Sequence, residues 1–341
     1  MQRKAVEKRR PTRRSTKARS PRRASAARAP VSASGYDDAL LKAVVNRHSK
    51  QSVSSHALEL SGLLSSLTPA MRTAQHKSGF RIGRALYRIY EPTKRYIWYE
   101  ESISDLVSFL ESAGLGSVAY NVFPDTVSIR IYNRHAPGIG IPTHDFEAGI
   151  ISGFVSAGRH QHTEINETRC SRSGHEQCEF TRSSRQTTAD VSEEWSISRL
   201  ISGAVSAVHD GRQAPTVPSE YYMLVSSTLF RHEYSHVLRN IATYLGNEFA
   251  SALHLTGTRP SLDRAEHLTR LLNLGSLRIK GLKPVDVEIE FDGLSSRMEH
   301  VELSLAFLDG LLNRLISDKA KMETLGARSA HGYRVRLKEK K

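Results

Sequence analysis

The sequence predicts an α+β fold: two tandem copies of one domain, each with helices covering a four-stranded antiparallel sheet, behind a disordered basic tail. Three observations predict it. Apolar residues recur at helical spacing and then switch to alternation, and they do so twice in the same order. The second passage repeats spacings of the first after roughly 150 residues, the mark of an internal repeat. Ahead of both, residues 1–35 hold almost no large apolar side chain.

That leading segment carries twelve Lys and Arg against one acid, Glu7, so most of the chain's net charge of +14 lies there and the body is close to neutral. It cannot bury enough surface to offset its ordering entropy. Arg9, Arg10, Arg13, Arg14, Arg22 and Arg23 are the candidates for phosphate contact with DNA or RNA, driven by counterion release. Ser20-Pro21-Arg22-Arg23 resembles the Ser-Pro-basic-basic repeats of linker-histone tails, here in a single copy. A solubilising or autoregulatory arm is the plainer reading. No apolar run reaches the ~18 residues of a membrane helix, and no apolar stretch follows the basic start as in a signal peptide. Two cysteines do not make a disulfide framework. A soluble, cytoplasmic protein is the expectation.

The first copy is placed at residues 36–183. Ala39, Leu40, Leu41, Val44 and Val45 begin one helix; Leu58, Leu60, Leu63 and Leu64 mark a second. A third runs Phe80–Tyr90 and is stopped by Pro92. Ile103, Leu106, Val107 and Leu110 form a fourth, ended by Gly114. The period then changes to two. Ser117–Phe123 and Thr126–Tyr132 flank Pro124-Asp125 and read as a hairpin. A helix from about Thr143 to Gly158 follows, then strands near His162–Glu167 and Gln177–Thr181.

Residues 184–219 read as one helix, Glu193–His209, and a linker, Gly211–Pro218. The same order returns over 220–341. Tyr221–Leu255 is helical, Leu262–Leu274 is a second helix, and Ser276–Lys280 and Val287–Asp292 are strands. Glu299–Ile316 is a helix, and two short segments end the chain, the last Tyr333–Leu337. Ile82-Gly83 matches Leu245-Gly246, Gly153-Phe154 matches Gly310-Leu311, and Thr126–Asn133 matches Val285–Asp292.

Both cysteines fall in one short stretch. Glu167-x-x-Cys170 brings a strand-end carboxylate towards a thiolate, and Gly174 lets the chain turn back to Cys178. Two soft thiolates and an acid suit zinc or iron. For a fourth ligand His144, His160, His162 and His175 are all available, and His175 is the nearest in sequence.

The stretch resembles the 4-vinyl reductase domain family, a small-molecule-binding module whose fold is similar to trafficking-particle subunits and the haem nitric-oxide-binding domain. Its mark is an apolar helix with spaced glycines, a strand ending in Glu-x-x-Cys, and a second Cys further on. Gly149, Gly153, Glu167, Cys170 and Cys178 reproduce it, within a match over residues 75–182. In zinc-bearing members a Cys at the start of the glycine-bearing helix completes the site; His144 stands there instead. The resemblance thus implies structural zinc on His144, Glu167, Cys170 and Cys178, all four positions filled by protein. It implies a pocket between helices and sheet for a hydrocarbon, an aromatic compound or a tetrapyrrole-like molecule. Trp98, Phe123 and Ile165 are its candidate lining residues, each equally at home in a core. Domains of this fold associate in pairs, so a homodimer is a further expectation. In the second copy Glu323 falls near the carboxylate position, but Gly326 and Arg334 fall near the cysteine positions, so that copy is expected to be metal-free.

A competing motif is His232-Glu233-Tyr234-Ser235-His236. On a helix the two histidines share a face, as in a zinc peptidase with Glu233 as general base. No third ligand stands at a matching spacing, and the buried stripe of that helix is assigned to Phe230, Tyr234, Val237, Leu238, Ile241, Leu245 and Phe249. With no phosphate loop, nucleophile elbow or acid–base pair, a non-enzymatic binding or sensor protein is the leading reading. The peptidase, and a nucleic-acid-associated structural protein with a vestigial pocket, are the alternatives.

Overall fold

The computed structural model describes residues 33–46, 51–94, 99–124, 127–132, 144–170, 175–182, 193–211, 215–226, 235–256, 258–282, 285–290, 298–316, 320–329 and 332–339. The basic tail up to residue 32, Trp98, His232 and Glu233 lie outside them.

The chain begins with α1 (Ala33–Val45), the three-residue strand β1 (Ser52–Ser54), α2 (Ser55–Ser66), α3 (Pro69–Lys94) and α4 (Tyr99–Ser112). Ser54 caps α2, its hydroxyl accepting from the His56 amide at 3.2 Å. The hairpin of β2 (Ser117–Val122) and β3 (Val127–Tyr132) follows, then α5 (Asp145–Gly158), β4 (Asn166–Arg169) and β5 (Cys178–Thr181). These four strands form an antiparallel sheet in the order β2-β3-β5-β4.

The second half runs α6 (Glu193–Asp210), β6 (Thr216–Pro218), α7 (Ser219–Ser226), α8 (Ser235–Ala252) and α9 (Arg259–Leu271). It continues with β7 (Ser276–Leu282), β8 (Val285–Glu290), α10 (Met298–Ile316), β9 (Ala320–Ser329) and β10 (Gly332–Glu339). Its sheet has the order β7-β8-β10-β9. Position for position this is the strand order of the first sheet, with a helix again inserted between the second and third strands.

Glycine sets the spacing of the central helix pair. A Cβ on Gly83 would lie 2.0 Å from the Ile150 carbonyl oxygen, and one on Gly153 would lie 2.0 Å from that of Phe80. Backbone therefore meets backbone where α3 crosses α5. In the second half Gly246 and Gly310 bring α8 and α10 together in the same way, with Cβ positions 2.1 Å from Phe307 O and 1.9 Å from Thr243 O.

Two apolar clusters form the core, and helices are exchanged between them. The first contains Phe109, Ile129, Phe154, Ile165 and Phe180, and also Tyr221, Tyr222, Leu224 and Val225 from α7. The second contains Leu245, Phe249, Leu268, Phe307 and Leu311, and also Leu60, Leu63 and Leu64 from α2. Each such side chain contributes about 1.5–3 kcal/mol when fully buried, so each half is stabilised by a helix of the other. Between them β1 pairs with β6, antiparallel and centred on Val53 opposite Val217.

Several boundaries differ from the sequence expectation. The third helix passes Pro92 and ends at Lys94, because a proline in the final turn removes only one backbone bond. Within the expected helix Tyr221–Leu255, the described residues form α7 up to Ser226 and α8 from Ser235 to Ala252, and 227–234 lie outside the described residues. Val237, assigned to its buried stripe, is exposed. The expected linker contains β6, whose three residues are too short for a periodic signal. The third strand of the first sheet starts at Asn166, because His162–Ile165 is bound to α5 by side chains and not to a neighbouring strand.

Candidate metal centre

Four side chains converge at the junction of α5 with β4 and β5. One donor atom from each of His144, Glu167, Cys170 and Cys178 lies within 4.8 Å of every other. His144 is the N-cap residue of α5 and makes no side-chain cap bond, so its ring is turned to the other three side chains instead. Its Nδ1 lies 2.7 Å from Glu167 Oε1 and 3.9 Å from Cys170 Sγ, and its Nε2 lies 4.0 Å from Cys178 Sγ. Phe180 on β5 packs edge-on against the imidazole, centroids 6.0 Å apart, and fixes its plane.

The local backbone explains how a Glu-x-x-Cys pair converges. In a regular strand residues three apart face opposite sides. Here Glu167 pairs with Phe180 but Arg169 pairs with Glu179, so one extra residue is inserted at Thr168. Such a bulge restores the parity and turns Glu167 and Cys170 towards the same ligand space. Cys178 opens β5, whose alternating burial turns it and Phe180 together into the interior. Neighbouring ion pairs hold the frame. Arg72 of α3 donates to Asp145 at 2.8 Å, and Arg130 of β3 donates to Glu179 at 3.1 Å.

Electrostatics matches a site that holds protons until something displaces them. Burial opposes a charge on His144, but the adjacent Cys178 sulfur and Glu167 carboxylate overcome it and raise the imidazole well above its ordinary value. The Cys170 thiol is pushed far up by its hydrogen bond with Cys178 and by burial. A cation that binds thiolates would release these protons on entry.

The donor set fits zinc. Bonds of about 2.0–2.3 Å give tetrahedral donor separations of about 3.3–3.8 Å, near the observed sulfur–nitrogen distances. The shorter His144–Glu167 separation is a hydrogen bond that would open as both groups turned to the ion. If all four bound one ion, they would leave no position for substrate, the arrangement of a structural site.

Of the sequence candidates for the fourth ligand, His144 is the one brought to the cluster. His175, nearest in sequence, is exposed, and His160 and His162 lie beyond the other end of α5. Ile165 is completely buried in the core, and Phe123 is 50% exposed beside the β2–β3 turn. Neither lines a cavity described here. His236 is exposed in the first turn of α8, beside Asn240.

Two residues next to the centre escaped the sequence reading. Glu147, one helical turn after His144, is completely buried, and Tyr221 of α7 donates to it. Burial raises the pKa of the Glu147 carboxyl. An acid in the first turn of a helix ordinarily answers the helix dipole at the surface, so nothing in the sequence distinguished this one.

Residues 129–182 match the family model of the 4-vinyl reductase domain. The matched segment runs from β3 through β5 and contains all four donors. No curated protein and no solved structure matches the chain.

Proposed function

We propose that the 4-vinyl reductase domain matched at residues 129–182 makes this protein a non-enzymatic small-molecule-binding or sensor module, braced by structural zinc on His144, Glu167, Cys170 and Cys178. The convergence of these four donors carries the reading. Its ligand is apolar or aromatic in body, and the basic tail contacts DNA or RNA.

The two halves are read as copies of one fold. The shared strand order, the paired glycine crossings and the exchange of α2 and α7 support this. On that reading α6 is the counterpart of α1, and the second copy begins at α6 and not after a linker. Counting from Gly153 and Gly310, Val301 stands where the first copy has His144. Glu323 pairs with Arg336 as Glu167 pairs with Phe180, which puts Arg334 at the Cys178 position. The second copy then lacks the metal set and serves as a partner.

Elemental analysis of the purified full chain tests the proposal. About one zinc per chain is expected, lost in Cys170→Ser and in Cys178→Ser and retained in His232→Ala. Retention in the cysteine variants with loss in His232→Ala would favour the peptidase motif instead.

A further inference from the structure

Two adjoining cavities of about 580 and 410 Å³ open along α3 where it faces the end of α5 and the segment leading into β4. They share Phe80 and His162, whose rings lie 5.5 Å apart at 54°. Lys77, Arg81 and Arg84 add three cations from a single face of α3, at i, i+4 and i+7, and all three are exposed. None of them makes an ion pair among the described residues, and Glu164 is the one acid among the lining residues. His76 also lines the wall, and burial lowers the pKa of its imidazole.

Concave volume, an aromatic wall and unpaired cations describe a ligand with an apolar body and an anionic end. The place is also connected to the metal centre. Ser152 and Ser156 of α5 hold the cleft segment through paired bonds: Ser156 Oγ accepts from Thr163 N at 2.8 Å and donates to Thr163 O at 3.1 Å. Ser152 does the same for Ile165, at 2.8 and 3.1 Å. Glu164 on the cleft wall and Glu167 at the metal centre are therefore three residues apart on one pinned segment.

We propose that this cleft is the small-molecule site, and that its ligand is an aromatic or short aliphatic acid, with the body laid over Phe80 and His162 and the carboxylate held by Lys77, Arg81 and Arg84. The inference rests on the small-molecule-binding reading above and moves the site from the interior between helices and sheet to the outer face of α3.

Titration of the full chain with 2-naphthoate and with its uncharged analogue 2-naphthalenemethanol, followed by fluorescence, tests it. Saturable binding of about one naphthoate per chain is expected. The double variant Arg81→Gln/Arg84→Gln should weaken it about tenfold or more, as loss of charge-assisted hydrogen bonds does, and remove the preference over the alcohol. Both substitutions are at exposed positions, and circular dichroism verifies that the fold is kept. Equal naphthoate affinity in both proteins overturns the cleft while leaving the small-molecule reading in place. Absence of saturable binding of either probe overturns the proposed ligand class, and native mass spectrometry for a co-purified molecule then judges the broader reading separately.

Discussion

Tyr221 donates a 2.5 Å hydrogen bond to Glu147, and the two residues come from opposite halves of the chain. Both side chains are completely buried. The second carboxylate oxygen of Glu147 has no partner among the described residues, so this carboxyl leans on the phenol in a place where desolvation is costly. Glu147 also follows His144 by one helical turn. A residue of the second half thus reaches the helix end that carries His144, a candidate metal ligand of the first.

Tyr221→Phe should cost about 1–3 kcal/mol, the penalty for leaving a buried polar group unmatched. Glu147→Gln in the same background should recover part of it, because an amide is cheaper to bury than a carboxylate. Urea unfolding of the four proteins gives the coupling directly. The pH dependence has a definite sign. A carboxyl raised by burial holds its proton in the fold where the unfolded chain releases it. Its contribution is most favourable below the ordinary carboxyl range and declines as pH rises towards the folded value. Glu147→Gln should flatten that decline above the ordinary carboxyl range, and an unchanged slope would assign it to other groups.

Gly153→Ala should destabilise the chain by about 1–3 kcal/mol or more, since the new methyl meets the Phe80 backbone and not a movable side chain. Gly83→Ala should behave alike, and the pair should be non-additive because both force the same two helices apart. Thermal melts of the single and double variants measure this. A neutral outcome would mean that the α3–α5 crossing yields more easily than its geometry suggests.

Removing residues 193–341 should leave a first half that does not fold as a soluble monomer. It would lose Tyr221, Tyr222, Leu224 and Val225 from its core and expose Leu60, Leu63 and Leu64. Light scattering and near-ultraviolet circular dichroism distinguish the outcomes, and a compact monomer with native signal would show that the exchanged helices are dispensable.

Deletion of residues 1–35 should weaken binding to a DNA or RNA oligonucleotide and flatten its dependence on salt, because each lost phosphate contact reduces the slope by about 0.7–0.9. Binding that is unaltered at every salt concentration removes the tail from the interface.

The gathering of Glu167, Cys170 and Cys178 was legible because their chemistry is concentrated in a few residues, whereas His144 beside them was reached only through the family resemblance. The hairpin of β2 and β3 was legible because alternation and Pro124-Asp125 agree. What the sequence hid was contact at a distance. The three residues of β1 show no periodicity, and only pairing with β6 makes them a strand. The bulge at Thr168 has no local signal, although it decides which way Glu167 faces. Phe123 follows β2 in an alternating pattern, yet stands half exposed beside the turn.

The β1–β6 pairing has a consequence for how the protein behaves on dilution. Two separate chains that complete each other's cores fall apart as their concentration drops, and any site resting on the union falls with it. Covalent connection replaces that equilibrium with an intramolecular one, at an effective concentration of the order of millimolar for a short tether. The half bearing Cys170 and Cys178 is then never without its companion, however scarce the protein is in the cell. Any metal or ligand bound there would then depend on the state of each molecule alone and not on pairing between chains.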